Sequence, residues 1–196
     1  MNLLQVIARW VRLPDWQRLN AIGLCLAIAL LTWLSWPLAA QASLDDDRYD
    51  GNIFVVYAGN GSLVPPKSSL AESLRQQKPA ILIYYVDDSR DCKQFALIVS
   101  SLQRGYGRAA SFIPVAVDAI PPQPEYSDRE PGHYYAGVVP QVVIFDQMGK
   151  VVLNRTGQVP YEELDDRLRE VFDLLPRSET TALKRRSFNE FNAELN

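Results

Sequence analysis

The feature that most constrains the fold is a continuous apolar run followed at once by an amphipathic segment. Residues 80–86 (AILIYYV) are apolar at successive positions, so both faces of this predicted strand are apolar. Such a strand is typical of the centre of a sheet that helices cover on both sides. Residues 90–106 then carry apolar side chains at three- and four-residue spacing, which predicts a helix with one buried stripe.

The flanking segments extend this pattern into an α/β domain. Further strands are predicted over 53–57, 112–117, 141–145 and 150–153, and further helices over 67–77 and from Pro160 to residue 175. Pro114 cannot donate to a sheet ladder, so an outer position or a local irregularity is expected there. The order β-α-β-α-β-loop-β-β-α predicts a mixed central sheet with helices on both faces.

Residues 1–42 have the features of a signal peptide or an N-terminal membrane anchor. Three arginines lie within residues 1–20, an apolar segment spans 21–36, and a small-x-small site over 40–42 precedes the acidic residues 45–47. This charge order keeps the amino end in the cytoplasm and carries the rest across the membrane. Cleavage after this site is the favoured interpretation, and a retained helix is the alternative, since about 20 apolar residues span a bilayer.

The composition of the remainder of the 196-residue chain excludes several kinds of site and function. After the leader we interpret 43–52 as an acidic linker, 53–175 as the domain and 176–196 as a polar tail. Residues 43–196 contain 17 Lys+Arg and 22 Asp+Glu, a balance that argues against nucleic-acid binding, which requires a basic face. They contain a single cysteine, which excludes an internal disulfide and a structural zinc site there.

The loop before the predicted helix carries the residues that bear on chemistry. A strand that leads into C-x-x-C at a helix start resembles the way thioredoxins present their redox pair, but here Ser89 takes the first position and Cys92 the second. Ile83 stands where active thioredoxins carry a buried aspartate. Disulfide exchange needs two thiols, because the second resolves the mixed disulfide made by the first. The resemblance over residues 53–174 therefore implies a thioredoxin fold without the thioredoxin reaction, and no catalytic residue is assigned.

The thioredoxin resemblance also implies a peptide-binding face. In that family a cis-proline before a sheet strand lies beside the redox pair, and the adjoining backbone pairs with an extended peptide. Val139-Pro140 precedes a predicted strand, so we expect a cis peptide bond there. The implied face consists of Tyr85, Ser89, Arg90, Cys92, Val139 and Pro140.

Cys92 and the neighbouring carboxylates each allow more than one interpretation. The helix start lowers a thiol pKa, whereas nearby Asp87, Asp88 and Asp91 disfavour a thiolate. A small buried side chain is the favoured interpretation of Cys92; a reactive monothiol, a dimer disulfide and a ligand contact stay open. The three carboxylates are favoured as a solvated rim at the helix start over a cation site, and we assign no metal and no cofactor.

Three segments, 44–54, 57–66 and 85–94, carry a closer resemblance. They resemble a cyanobacterial thioredoxin-like family described as thylakoid membrane photosystem I accumulation factors. The resemblance implies a lumenal domain, attached to or exported across the thylakoid membrane, whose partners are photosystem I subunits or assembly intermediates. Two rival hypotheses are a monothiol redox protein that forms mixed disulfides with clients through Cys92, and a chaperone of broad clientele.

Overall fold

The computed structural model describes residues 15–34 and 42–180, which belong to two separate compact units. The first unit contains helix α1 (Asp15–Leu34). Within the described ranges, no helix has the length and apolarity needed to cross a membrane. Residues 40 and 41 of the predicted cleavage site and residues 181–196 of the predicted tail lie outside the described residues. The interpretation of 1–42 as a signal peptide or anchor stays a prediction.

The second unit is an α/β domain built around a mixed four-stranded sheet. Its helices are α2 (Ile53–Val56), α3 (Leu70–Arg75), α4 (Arg90–Tyr106) and α5 (Tyr161–Val171). Its strands are β1 (Ala80–Tyr85), β2 (Ser111–Ala116), β3 (Gln141–Phe145) and β4 (Val151–Thr156). The strand order is β2-β1-β3-β4, with β2 parallel to β1 and both other pairs antiparallel.

Strand β1 lies inside the sheet, and all six of its residues are buried. Successive side chains on a strand point to opposite faces. Ile81 and Ile83 accordingly join the core beneath α2, α4 and α5, whereas Leu82 and Tyr84 join a second core beneath α3. The prediction of a central strand that is apolar on both faces, with helices on either side, is confirmed.

Pro114 lies on an edge strand, as predicted. The Ser111 N–H donates to the Pro79 carbonyl at 2.8 Å, so the backbone of Ser111 faces β1. Alternate residues of a strand share one side, which directs the backbone of Pro114 away from β1. The missing donor therefore costs the β1–β2 ladder no hydrogen bond.

The prediction of a strand over 53–57 is wrong, because Ile53–Val56 form the short helix α2. The Asn52 side chain accepts a hydrogen bond from the Phe54 N–H at 3.1 Å and caps this helix. Ile53 and Phe54 are buried in the core, whereas Val55 is half exposed. Packing of two consecutive side chains and the cap override the strand preference of a β-branched run. Helix α5 also ends earlier than predicted, at Val171, and Pro160 is its N-cap residue and not its first residue.

Candidate functional site

The C-x-x-C remnant lies at the junction of β1 and α4. Ser89 is the N-cap residue of α4, and its Oγ accepts a hydrogen bond from the Cys92 N–H at 3.4 Å. Cys92 is 1% exposed and packs in the core with Ile83 and Phe95. Burial raises the pKa of the Cys92 thiol, and the carboxylate of Asp91 acts in the same direction. The expected burial of this cysteine is confirmed, and the thiol is protonated at neutral pH.

A lysine next to this cysteine is the most unusual side chain of the site. Lys93 is fully buried on α4, and its Nζ donates to oxygens of residues 43–50, which we call the acidic strap. The acceptors are the Ser43 carbonyl at 3.1 Å, the Asp46 carbonyl and Oδ1 at 3.0 Å each, and Asp50 Oδ2 at 3.3 Å. The ammonium also lies 5.1 Å from the centre of the Tyr57 ring. Buried ammonium groups are tolerated only when they are paired and hydrogen-bonded in this way.

Lys93 and the two carboxylates paired with it, those of Asp46 and Asp50, remain charged over a wide pH range. Although burial alone lowers the pKa of Lys93, its hydrogen bonds with Asp46, Tyr57 and Asp50 raise the pKa well above the ordinary value. The hydrogen bond donated by the Tyr57 hydroxyl lowers the pKa of Asp50 to about 2, with a further contribution from Lys93. The hydrogen bond from Lys93 also lowers the pKa of Asp46. An ion-paired clamp therefore joins the strap to α4.

The acidic strap also occupies the first turn of α4. Asp47 Oδ1 accepts a hydrogen bond from the Arg90 N–H at 2.8 Å, and Gln94 Nε2 donates to Asp45 Oδ1 at 3.4 Å. The first N–H groups of a helix lack partners within the helix and carry a partial positive charge. In reactive cysteines this positive helix start stabilises the thiolate, whereas here the carboxylate of Asp47 takes that place. The segment that we interpreted as a linker thus forms part of the folded surface.

The structure brings the predicted face together only in part. The Val139–Pro140 peptide bond is cis, as predicted. Val139 is partly buried and packs against the core cluster that contains Tyr85 and Cys92. Tyr85 is 5% exposed; its hydroxyl accepts a hydrogen bond from Asn52 Nδ2 at 3.0 Å, and its ring meets the Phe54 ring edge-on.

Three residues of the predicted face contribute surface. The side chain of Arg90 is 53% exposed, and Ser89 and Val139 are half-buried. Tyr85, Cys92 and Pro140 are buried and support this surface from below. A peptide-binding role of this face stays a prediction.

One acidic residue of the remnant loop, Asp87, has a structural partner. Asp87 Oδ1 accepts a hydrogen bond from the Ile53 N–H at 2.9 Å and so ties α2 to the end of β1. Burial raises the pKa of Asp87, and the carboxylates of Asp118 and Asp88 add to this rise. In the part of the chain that the structure describes, no group of three or more His, Cys, Asp or Glu side chains is arranged to hold a metal ion.

A buried glutamine at the start of β3 organises the long connection before it. Gln141 is fully buried; its Nε2 donates to the Tyr134 carbonyl at 2.7 Å and to Asn154 Oδ1 at 2.9 Å. Its Oε1 accepts a hydrogen bond from the Ala136 N–H at 2.8 Å. All of these interactions satisfy the side chain, and they fix the end of the connection beside the cis-proline.

Sequence reasoning missed both the Lys93 clamp and the Gln141 anchor. Lys93 lies next to a stripe of apolar residues on α4, and lysines at such positions are usually exposed. The acidic run 45–47 indicated that a basic partner exists, but Arg48, the nearest basic residue in the sequence, was the obvious choice and not Lys93. The hydrogen-bond partners of Lys93 lie more than 40 positions away and leave no periodic pattern. Those of Gln141 are nearer in sequence but lie in the irregular connection and in the facing strand.

The chain is similar to known proteins over most of its length. The family model described as thioredoxin-like domain matches residues 66–172, more than half of the chain. The chain therefore belongs to the thioredoxin-like domain family. A relative from the cyanobacterium Synechocystis sp., Thylakoid membrane protein slr1796, is 54% identical over 186 residues, which cover 91% of this chain and 92% of that protein.

The chain is also similar to solved structures, at lower sequence identity. The germline-specific thioredoxin Deadhead of Drosophila melanogaster has 20% identity and a TM-score of 0.40, over 50% of this chain and 85% of that one. A structure that describes thiol resolution of a yeast mitochondrial 1-Cys peroxiredoxin has 15% identity and a TM-score of 0.39, over 53% and 86% of the two chains.

Proposed function

We propose that this chain is a non-catalytic thioredoxin-like factor that promotes accumulation of photosystem I on the lumenal side of the thylakoid membrane. The observation that carries the non-catalytic part is Ser89, which caps α4 where the attacking thiol of a thioredoxin lies. The remaining thiol, Cys92, is buried, and Asp47 occupies the helix end. These features support a binding module, because neither a resolving pair nor a stabilised thiolate is available.

The biological setting of the proposal comes from relatives. The relative from Synechocystis sp. is named a thylakoid membrane protein, which supports a location at that membrane. The resemblance of 44–54, 57–66 and 85–94 to photosystem I accumulation factors supports photosystem I as the complex on which this chain acts. In this proposal the partners are photosystem I subunits or assembly intermediates, and Ser89, Arg90 and Val139 form the exposed part of the docking face.

Gene deletion tests the role in photosystem I accumulation. We expect the ratio of photosystem I to photosystem II, measured from P700 absorbance and low-temperature fluorescence, to fall in the deletion strain. Restoring the gene should restore the ratio. An unchanged ratio under low, moderate and high light contradicts the role.

A charge reversal tests the docking face. We expect Arg90→Glu to reduce complementation, because Arg90 is exposed beside the remnant loop. Arg104→Glu is the matched control, since Arg104 is exposed near the other end of α4. Equal complementation by both variants contradicts docking at this face without contradicting the role in photosystem I accumulation.

The alternative function is a monothiol redox protein that forms mixed disulfides through Cys92. The near-complete burial of Cys92 and its raised pKa argue against this function. A Cys92→Ser variant that restores photosystem I levels eliminates the redox function. A folded variant that fails to restore them eliminates the non-catalytic proposal.

A further inference from the structure

A groove outside the remnant site lies between the end of β2 and the long connection that follows it. Val115, Ala119, Ile120 and Pro121 line it together with the ring of Tyr126, and its volume is about 200 Å³. An apolar cavity of about 150 Å³ is large enough to hold benzene. The groove therefore has room for one phenyl-sized or branched aliphatic side chain.

Hydrogen bonds and close packing hold the walls of this groove in place. The Tyr126 hydroxyl donates to the Pro121 carbonyl at 2.7 Å, and the buried Tyr84 hydroxyl donates to the Pro131 carbonyl at 2.5 Å. Gly132 packs against the Tyr126 ring so closely that a side-chain carbon at position 132 would collide with it. Because the wall is ordered before binding, no conformational entropy is lost in ordering it when a partner binds.

The connection that encloses the groove is strongly acidic, and we call its carboxylates the acidic rim. Residues 117–134 carry Asp118, Glu125, Asp128 and Glu130 against Arg129 as their only charged residues, a net charge of −3 that equals the net charge of the whole chain. Asp118, Glu125 and Asp128 are exposed. Glu130 lines the groove itself. This charge attracts a cationic partner and repels the anionic surface of a lipid bilayer.

We propose that this groove docks a basic protein segment, which inserts one apolar side chain while its flanking lysines or arginines face the acidic rim. The apolar lining selects the anchor side chain, and charge complementarity selects its neighbours. The groove lining shares no residue with the predicted face around Arg90 and Pro140. It neither requires nor implies the role in photosystem I accumulation.

Peptide binding to the full-length chain in neutral detergent tests the proposal. The probe is a fluorescein-labelled peptide with a central phenylalanine between two pairs of lysines, and the readout is fluorescence anisotropy. We expect saturable binding that weakens at higher salt. A peptide with alanine at the centre should bind at least tenfold more weakly, and equal affinity of the two peptides overturns the proposal.

Two sets of variants locate the binding. Ala119→Trp fills the groove and should weaken binding at least tenfold, whereas Ala71→Trp makes the same change at an exposed position on α3 and should leave binding unchanged. Glu125→Gln with Asp128→Asn should weaken binding about threefold and reduce its salt dependence. The matched charge control is Glu162→Gln with Glu170→Gln on α5, which should bind like the wild type.

Three results would overturn the proposal. One is wild-type affinity in a folded Ala119→Trp variant, with folding checked by circular dichroism. A second is an equal loss of affinity in the rim variants and in their α5 controls, which indicates attraction by net charge alone. A third is wild-type affinity for a peptide in which glutamates replace the four lysines, which excludes recognition of the basic flanks by the acidic rim.

Discussion

Replacing Gln141 with leucine tests whether one buried side chain holds the long connection against the sheet. Gln141 makes three hydrogen bonds of 2.7 to 2.9 Å in a fully buried position. At about 1 kcal/mol net each, their loss costs about 3 kcal/mol. The apolar leucine recovers about 1 kcal/mol through burial. We therefore expect Gln141→Leu to lower the free energy of unfolding by about 2 kcal/mol.

Urea denaturation and hydrogen exchange measure this effect. For a domain of this size, about 2 kcal/mol corresponds to a fall in Tm of roughly 7 °C. The Ala136 amide, which loses its acceptor, should exchange much faster, whereas amides of β1 should change only with global stability. Gln76→Leu is the control, because Gln76 is exposed and bonds only to Glu72, so we expect a change below about 0.5 kcal/mol.

An isosteric variant tests whether the hydrogen bonds of Gln141, and not its shape, are responsible. Gln141→Glu keeps the shape of the side chain but places a carboxylate against the Tyr134 carbonyl and Asn154 Oδ1, both of which need donors. We expect a larger loss than in Gln141→Leu, because a buried unpaired charge is worse than an apolar side chain. A free energy of unfolding of Gln141→Leu within about 0.5 kcal/mol of the wild-type value, with the Ala136 amide still protected, would refute this role of Gln141.

Three further predictions concern the clamp and the thiol. Lys93→Met should lower Tm far more than the exposed Lys67→Met and should speed tryptic cleavage after Arg48; equal melting and cleavage would contradict a structural clamp. Because the pKa of Asp50 is lowered to about 2 from an ordinary value near 4, its stabilising contribution is complete above about pH 4 and is lost as the pH falls through 2. The Tm difference between wild type and Lys93→Met should therefore be equal at pH 5 and pH 8, and a halved difference at pH 5 would contradict this assignment. Iodoacetamide should modify Cys92 at least a hundredfold more slowly in the native chain than in guanidinium chloride, as peptide mass spectrometry would show; comparable rates would contradict burial.

Local patterns predicted most of the fold. Strand β1, helix α4 and the β3–β4 hairpin each carry a periodicity or a turn residue that belongs to a single type of element. The edge position of Pro114 followed from the chemistry of proline itself. The predicted strand over 53–57 failed because a β-branched run of this length fits a strand or a short capped helix. Packing of the α2 residues Ile53 and Phe54 into the core decided between the two.

The sequence could also predict some features of the candidate site but not others. The absence of a second thiol at Ser89 is a fact of composition, so the loss of disulfide exchange could be inferred from the sequence. The burial of Tyr85 and the exposure of Arg90 depend on how α2 and the acidic strap pack around the remnant loop. Long-range partners of this kind are invisible to periodicity.

The sequence by itself determined the class of fold and the loss of thioredoxin chemistry, because strand and helix periods and the identity of position 89 are local properties. The tertiary structure alone decided that a distant carboxylate, Asp47, occupies the start of α4 and that an ion-paired lysine joins the strap to this helix. It also decided that the long connection encloses an apolar groove with an acidic rim. The first two features arise from contacts between residues more than 40 positions apart, and the groove depends on how the irregular connection packs on itself and against Tyr84, so their geometry exists only once the domain has folded.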